Sequence, residues 1–286
     1  MTLYDLVKMD LPPVPKYETG ISFIDKPFKG GLELGQLITL TGDAEAGKTM
    51  LLNHLIGNVS KGHKCLYFSL EFNKRQFRDN FIQRLKSGVV SEESIKNIEV
   101  IVSDTLEHEN IKNIAIGELY TMLEIMKYEI QKGVKFIAID STLEFYVNEL
   151  RGEEEVTTIF RELALIAKKH DVLVITISQG SKEDNKENII SIFGSQKAKH
   201  FATSMFHIFY DVETEKRTFV VAKNKQEGGR FTQEVYLDTN TFTFSGFEVV
   251  IEEKEPTRKG GYPTITIEEE QSEEIDTNKL EGFSFE

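Results

Sequence analysis

The 286 residues are 40% hydrophobic and carry 47 acids against 34 bases, a net charge of −13. That apolar content is ample for a buried core, and the length suits one large domain or one domain with an appendage. No apolar run approaches the roughly 20 residues of a membrane helix, and the start Met1-Thr2-Leu3-Tyr4-Asp5 lacks the basic and apolar regions of a secretory signal, so a cytoplasmic protein without membrane contact is expected.

An acidic chain has no general affinity for nucleic acid, and any contact with DNA must come from a local basic patch. The single cysteine, Cys65, sits in the apolar run Cys65-Leu66-Tyr67-Phe68, which excludes an internal disulfide and any cysteine-built metal site.

In chain order, residues 1–18 read as an N-terminal arm. A short helix at Leu3 to Met9 is followed by Pro12-Pro13-Val14-Pro15, whose fixed φ and missing donors favour an extended segment suited to packing on a neighbouring subunit. Thr19 to Gln36, punctuated by glycines, leads into the apolar strand Leu37-Ile38-Thr39-Leu40-Thr41. Next come Gly42-Asp43-Ala44-Glu45-Ala46-Gly47-Lys48-Thr49, the pattern G-x-x-x-x-G-K-T, and the helical spacing of Leu51, Leu52, Leu55, Ile56 and Val59.

Strand, glycine loop and helix start form the context that phosphate binding needs. Glycines let backbone N–H groups point into a concave nest, and the helix start adds its partial positive charge. All eight loop residues would cradle a nucleotide, with Lys48 reaching the β and γ phosphates and Thr49 placing its hydroxyl on Mg²⁺.

Lys64 to Leu70 reads as a second buried strand, ending at Glu71. Ligands of open α/β sheets lie off the carboxyl ends of strands, so Glu71 faces the crevice of Lys48, where a carboxylate can polarise an attacking water. On spacing alone it serves equally as a cap for the helix beginning near Asn73. After Phe77, Phe81, Ile82 and Leu85 comes a short strand at Glu99 to Val102. A long amphipathic helix is then predicted from about Asn110 to Lys132, with Ile111, Ile114, Leu119, Met122, Leu123, Met126 and Ile130 on one face.

Lys135 to Ser141 is an apolar run closed by Asp140, the form of a Walker B strand whose acid holds Mg²⁺ through water. A helix through Val156, Ile159, Phe160, Leu163, Ile166 and Ala167 leads to the strand Val172 to Ile177, which ends at Ser178-Gln179. The amide of Gln179 would stand where a γ-phosphate sensor is needed, or bond locally at the strand end.

Downstream, Lys182 and Lys186 are interleaved with Glu183, Asp184 and Glu187, and Lys197, Lys199 and His200 follow. With Arg151 they are the basic residues near the Gln179 strand, candidates for single-stranded DNA or a merely solvated face. Antiparallel strands are expected at Phe206 to Tyr210, Thr218 to Ala222 and Thr232 to Leu237, with Lys223 and Lys225 at the end of the second. The six histidines lack metal-ligand spacing and read as structural. Residues 252–286 hold eleven acids against four bases and read as a disordered acidic tail.

These residues resemble the RecA superfamily of ring- and filament-forming ATPases over about Tyr17 to Gly246. Thr19 to Gly42 resembles the lead-in of DnaB-type replicative helicases. Phe68-Ser69-Leu70-Glu71, with Gln76 beyond, is similar to the helicase strand that ends in the catalytic glutamate, and Asp140 matches the Walker B acid. Phe160-Arg161-Glu162-Leu163 through Ala167-Lys168 to Ile177-Ser178-Gln179 is similar to the helicase helix and sensor strand. Gly194-Ser195 with Lys199, Phe201 and Ala202 resembles the recombinase segment after its second DNA-binding loop.

Ala222-Lys223-Asn224-Lys225 is similar to the recombinase lysine pair that reaches the neighbouring subunit's nucleotide. DnaB-type helicases usually carry arginine at the second position, from which Lys225 departs, and a lysine cannot form an arginine's bidentate fork.

The resemblance implies an α/β fold: a RecA-like three-layer P-loop NTPase core over 19–251, with a mostly parallel sheet and an antiparallel C-terminal extension. It implies ATP and Mg²⁺ at the interfaces of a hexameric ring, and Lys48, Glu71, Gln179, Lys223 and Lys225 as catalytic residues. The implied activity is that of a DnaB-like helicase moving on single-stranded DNA during replication. The alternative is a KaiC-like or recombinase-like ATPase whose cycle controls assembly or partner binding without unwinding. The helicases' primase-interacting domain has no counterpart in residues 1–18, and the acidic tail would meet a replication or recombination partner.

Overall fold

In the computed structural model, which describes residues 1–10, 13–105, 107–109, 111–112, 114–179, 195 and 197–247, the apolar runs ending at Gly42, Ile177, Asp140 and Ser69 lie side by side as neighbouring strands. The elements run α1 (Leu3–Lys8), β1 (Lys16–Tyr17), α2 (Ser22–Asp25), β2 (Leu32–Glu33), β3 (Leu37–Gly42), α3 (Lys48–Val59), β4 (Lys64–Ser69), α4 (Lys74–Lys86), α5 (Glu92–Ile95) and β5 (Ile98–Val102). They continue as β6 (Glu107–His108), β7 (Ile111–Lys112), α6 (Leu119–Gln131), β8 (Val134–Asp140), α7 (Gly152–His170), β9 (Leu173–Ile177), α8 (Ala198–Phe201), β10 (Ser204–Tyr210), β11 (Arg217–Asn224), β12 (Phe231–Asp238) and β13 (Thr243–Gly246).

Nine strands form one sheet in the order β13-β12-β11-β10-β3-β9-β8-β4-β5. From β10 to β5 every pairing is parallel, while β10 to β13 are antiparallel to one another. Alternation along the strands splits the core in two. Cys65, Tyr67, Ile38 and Leu40 pack with α3 and the phenylalanines of α4, whereas Leu66, Phe68, Ile137 and Ile139 pack with α6 and α7. The result is the expected three-layer α/β core with its antiparallel extension.

The predicted helix from Asn110 is corrected: α6 begins at Leu119, capped by the Glu118 carboxylate, which accepts from Thr121 N at 2.7 Å. Upstream, Glu107–His108 pairs with Ile111–Lys112 as a hairpin, and Asn110 itself lies outside the described residues. Ile111 and Ile114 still reach the core against which α6 packs, so helical spacing of apolar residues was met here by a different backbone. The arm is partly stitched down, because Lys16 and Tyr17 pair with β2 and Lys16 forms an ion pair with Glu227. α1 stays exposed, and residues 252–286, read above as a tail, lie outside the described residues.

A strand unforeseen in the sequence, β13, completes the extension, and Arg84 of α4 pins its turn. This fully buried guanidinium donates to Met50 O at 3.0 Å and Phe242 O at 2.6 Å, and burial lowers its pKa to about 10. The extension shares the central core through Phe219, fully buried with its ring 4.8 Å from Phe23 and 5.3 Å from Phe206. Phe219→Ala should therefore cost about 3–5 kcal/mol in urea unfolding. Tyr236→Ala, at a 57% exposed position of the same extension, should change stability by less than about 0.5 kcal/mol. A similar small effect from both would make the extension peripheral to the fold.

Candidate nucleotide-binding site

The loop after β3 is shaped by close backbone approach. A Cβ on Gly42 would stand 2.6 Å from Ile208 O of β10, so glycine is what lets that strand lie alongside. Glu45 and Gly47 take left-handed φ values of 60° and 94°, which turn the chain back into α3. Behind Gly47 stand Phe244 and Leu237, and an added Cβ would meet them at 2.9 and 3.2 Å. Asp43 N donates to Ile208 O at 3.1 Å and its carboxylate accepts from Tyr210 N at 2.8 Å. Arg217 Nε donates to Ala46 O at 3.2 Å. The extension thus holds the loop from outside.

Lys48 folds over the loop and donates to Gly42 O at 3.0 Å and Asp43 O at 2.7 Å. Burial lowers its pKa, opposed by the charges of Asp43, Asp140 and Glu71. Thr49 Oγ1 donates to Asp140 Oδ2 at 2.7 Å, joining the start of α3 to the end of β8. Asp140 is 1% exposed, and burial pushes its pKa up to about 6. The Thr49 hydrogen bond opposes that rise, the Glu71 charge adds to it, and Lys48 opposes it.

Glu71 is exposed at the end of β4, where Ser141 Oγ donates to its Oε1 at 2.8 Å. Leu70 N and Glu71 N both point to Asp140 O, at 2.8 and 3.4 Å. Lys48, Thr49, Glu71 and Asp140 therefore meet in one crevice. Gln179 is exposed one residue beyond Ser178, whose N–H donates to Leu40 O at 3.0 Å, so it stands at the same sheet end. A hydroxyl beside a desolvated carboxylate is a hard oxygen pair suited to Mg²⁺, which takes one or two protein oxygens and completes its shell with phosphate and water. Among the described residues no cluster of three His, Cys, Asp or Glu could hold a metal alone.

The other candidates lie elsewhere. Register pairs Lys223 with Met205, and Met205 with Thr39, near the start of β3, whereas Ile208 pairs with Gly42 at its end. Lys225 N reaches Thr203 O, and Thr203 N reaches Leu37 O. Five residues of strand, roughly 17 Å, separate Leu37 from Gly42. Lys223 and Lys225 thus sit at the sheet end opposite their own phosphate loop. Lys223 Nζ donates to Lys199 O and Ala202 O, both at 2.5 Å, and Lys225 Nζ to His200 O at 3.4 Å. Burial lowers the Lys223 pKa to about 8, with the Lys225 and Lys199 charges adding.

Arg151 and Lys197 line an open cavity of about 540 Å³ together with Arg161, Thr157, Glu153 and Glu154. Ser195 fixes Lys197 there: its Oγ lies 2.9 Å from Thr157 Oγ1 and accepts from Lys197 N at 3.1 Å. Lys199 and His200 follow on α8, and Lys182 and Lys186 lie outside the described residues. Sequence reading missed Ser141, Arg161 and Arg217 as members of these sites. Ser141 and Arg161 stood inside motifs already quoted, while Arg217 carried no local signal.

Residues 17–227 match the protein family described as ATPase: KaiC. Among solved structures, the KaiC-like protein PH0186 from the hyperthermophilic archaeon Pyrococcus horikoshii OT3 is similar at 16% identity and a TM-score of 0.61, covering 82% of this chain and 100% of that one. The ATPase domain of a DnaB-type helicase is similar at 16% identity and a TM-score of 0.65, over 86% of this chain and 96% of its own. The RadB recombinase is similar at 18% identity and a TM-score of 0.60, over 81% and 99%. At these identities the structural likeness speaks for the fold alone.

A raised carboxylate pKa means that the folded chain binds the Asp140 proton more tightly than the unfolded chain does. Its cost to stability is absent below the ordinary value near 4 and fully present above about 6. In the nucleotide-free protein, Asp140→Asn should then be more stable than the parent by on the order of 2 kcal/mol at pH 7.5, with the difference vanishing by pH 4. Urea midpoints at both pH values check this, and a variant less stable at pH 7.5 would contradict it.

Proposed function

Because the chain belongs to the KaiC family of RecA-superfamily ATPases, we propose that it hydrolyses Mg²⁺–ATP at the Lys48 crevice and uses the cycle to move along single-stranded DNA as a DnaB-like helicase. What carries the catalytic part is the convergence of Lys48, Thr49, Asp140 and Glu71 from three separated stretches of sequence. Lys48, drawn from its carbonyl partners, would neutralise the β and γ phosphates. Thr49 and Asp140 would hold the metal, which supplies charge neutralisation at the transferring phosphoryl group. Glu71, held by Ser141, would accept the proton of the attacking water, and Gln179 would report the γ-phosphate to the segment beyond it.

Lys223 and Lys225 stand too far from their own loop to serve it, which supports a role at a neighbour's site in a hexameric ring. The DNA part rests on the open cavity with its three bases, where Arg161 joins Arg151 and Lys197, with Lys199 and His200 beside it. We place such a motor in the cytoplasm, with the acidic segment 252–286 as its contact to replication or recombination partners. A second reading, an ATPase that switches assembly without unwinding, draws on Glu153 and Glu154, which share the cavity wall and repel a phosphate backbone.

Lys48→Ala should lose nucleotide binding, whereas Glu71→Gln should keep it and turn over 10²–10⁴-fold more slowly, by roughly the size of a general-base contribution. Parent-rate hydrolysis by Glu71→Gln would remove Glu71 from the mechanism. The ratio of ATPase rates with and without single-stranded DNA should exceed one in the parent and fall to one in Arg161→Ala, Lys197→Ala. A parent whose ratio is already one favours the assembly switch.

A further inference from the structure

The tip of the β10–β11 hairpin carries a planar pair that the phosphate reading leaves without a role. Tyr210 and Arg217 are register partners at the last rung of the hairpin, and the guanidinium carbon of Arg217 lies 4.1 Å from the Tyr210 ring centroid. Both side chains are half-buried. The pair is fastened to the outer side of the loop twice, by Arg217 Nε on Ala46 O at 3.2 Å and by Tyr210 N on Asp43 Oδ2 at 2.8 Å. Arg217 Nη1 adds a weaker bond to Glu215 O at 3.4 Å, and among the described residues Nη2 makes none.

Sheet order gives the pair a direction. Asp140 and Glu71 end β8 and β4, on one side of β3, while β10 and β11 lie on the other. A triphosphate on the loop that points its terminal phosphate at Asp140 and Glu71 must send its other end away from β8, toward β10 and β11. The first flat, partly open π surface there is the Arg217–Tyr210 stack. Resting on the assignment of the loop as a nucleotide site, we propose that Arg217 and Tyr210 form the nucleobase platform, with the base stacked on this pair and Nη2 free to donate to a ring acceptor or a ribose hydroxyl.

Stacking on a guanidinium or phenol reads ring area more than hydrogen-bond pattern, so the platform favours purines over pyrimidines and discriminates weakly between adenine and guanine. Arg217 also links base to phosphates, because the atom that steadies Ala46 belongs to the group on which the base would lie. Tyr210→Leu removes the ring but leaves the Ala46 contact in place, which separates stacking from support of the loop.

The experiment is calorimetric titration with ATP, CTP and inorganic tripolyphosphate, each with Mg²⁺, of the parent, Tyr210→Leu, Arg217→Gln and Lys48→Ala. The parent should bind ATP at least tenfold tighter than tripolyphosphate and about threefold or more tighter than CTP, the range expected for base stacking. Tyr210→Leu and Arg217→Gln should each weaken ATP about tenfold and leave tripolyphosphate within twofold, which also shows that the loop remains folded. Equal losses for ATP and tripolyphosphate, an unchanged ATP affinity in both variants, or a parent indifferent to the base would overturn the platform while leaving the phosphate site standing. A parent that binds neither ATP nor tripolyphosphate, or a Lys48→Ala variant that binds both undiminished, would overturn the nucleotide reading and the platform with it.

Discussion

A carboxylate kept out of water must be compensated, and at Asp140 the compensation organises the crevice. The side chain is 1% exposed, and its hydrogen bond from Thr49 ties the first turn of α3 to the last residue of β8 across the sheet. That bond is possible only because β3, β9, β8 and β4 are parallel and in a register that ends them at one level: Thr39 with Thr176, Thr176 with Ile139, Phe68 with Ile139, Ser69 with Asp140. One hydroxyl does not fully offset the loss of hydration, which is why the pKa remains raised. A site left electrostatically incomplete in this way gains from a cation. The same imbalance that costs the empty protein stability favours metal-bound nucleotide, so part of the binding energy is stored in the fold as an unmet demand for positive charge.

What the sequence made legible was local. The loop from Gly42 to Thr49, the strands closed by Glu71 and Asp140, and the helices with a continuous apolar face are patterns within about twenty residues, and backbone propensity and burial act on that scale. Where the reading failed, the deciding contact was distant. Ile111 and Ile114 fit helical spacing, but their place was settled by packing on α6 and by the hairpin that buries His108 against Glu129. Arg84 has the spacing of a solvent-facing residue on α4, yet it is buried on the carbonyls of Met50 and Phe242, the second of them 158 positions away. Arg217 reaches Ala46 across 171 positions, and neither end of that bond announces the other. In Ser141 the signal was present, one residue after the Walker B acid, but its role needed the register that brings Glu71 beside it.

The antiparallel extension is the part of the fold that the phosphate motif does not require, and its contacts explain its presence. At one end it supplies Ile208, Tyr210, Arg217, Leu237 and Phe244, which fasten or back the loop from Gly42 to Gly47. At the other end it carries Lys223 and Lys225, whose ammonium groups rest on the last carbonyls of α8, the helix just after Lys197. The turn beyond them is clasped to the lead-in segment: Asn224 donates to Pro27 O at 3.2 Å, Gln226 to Gly31 O at 3.0 Å, and Glu227 pairs with Lys16 and Lys29.

These attachments bear on how a site built from two subunits would communicate. A flexible lysine on a free loop could neutralise a neighbour's phosphate without any effect on its own subunit. Lys223 and Lys225 are placed differently, because β11 is hydrogen-bonded along its length to β10 and β12 and its far end is fixed to the loop through Arg217. In the proposed ring, a phosphate arriving next door competes with the α8 carbonyls for the same ammonium groups. Drawing the lysines away would uncover those carbonyls, loosening the short helix that follows Lys197, while the stiff strand passes any shift of the lysines toward the subunit's own loop. Coupling of this kind needs an element with two alternative sets of partners, and the lysine pair has one set in hand in the isolated chain.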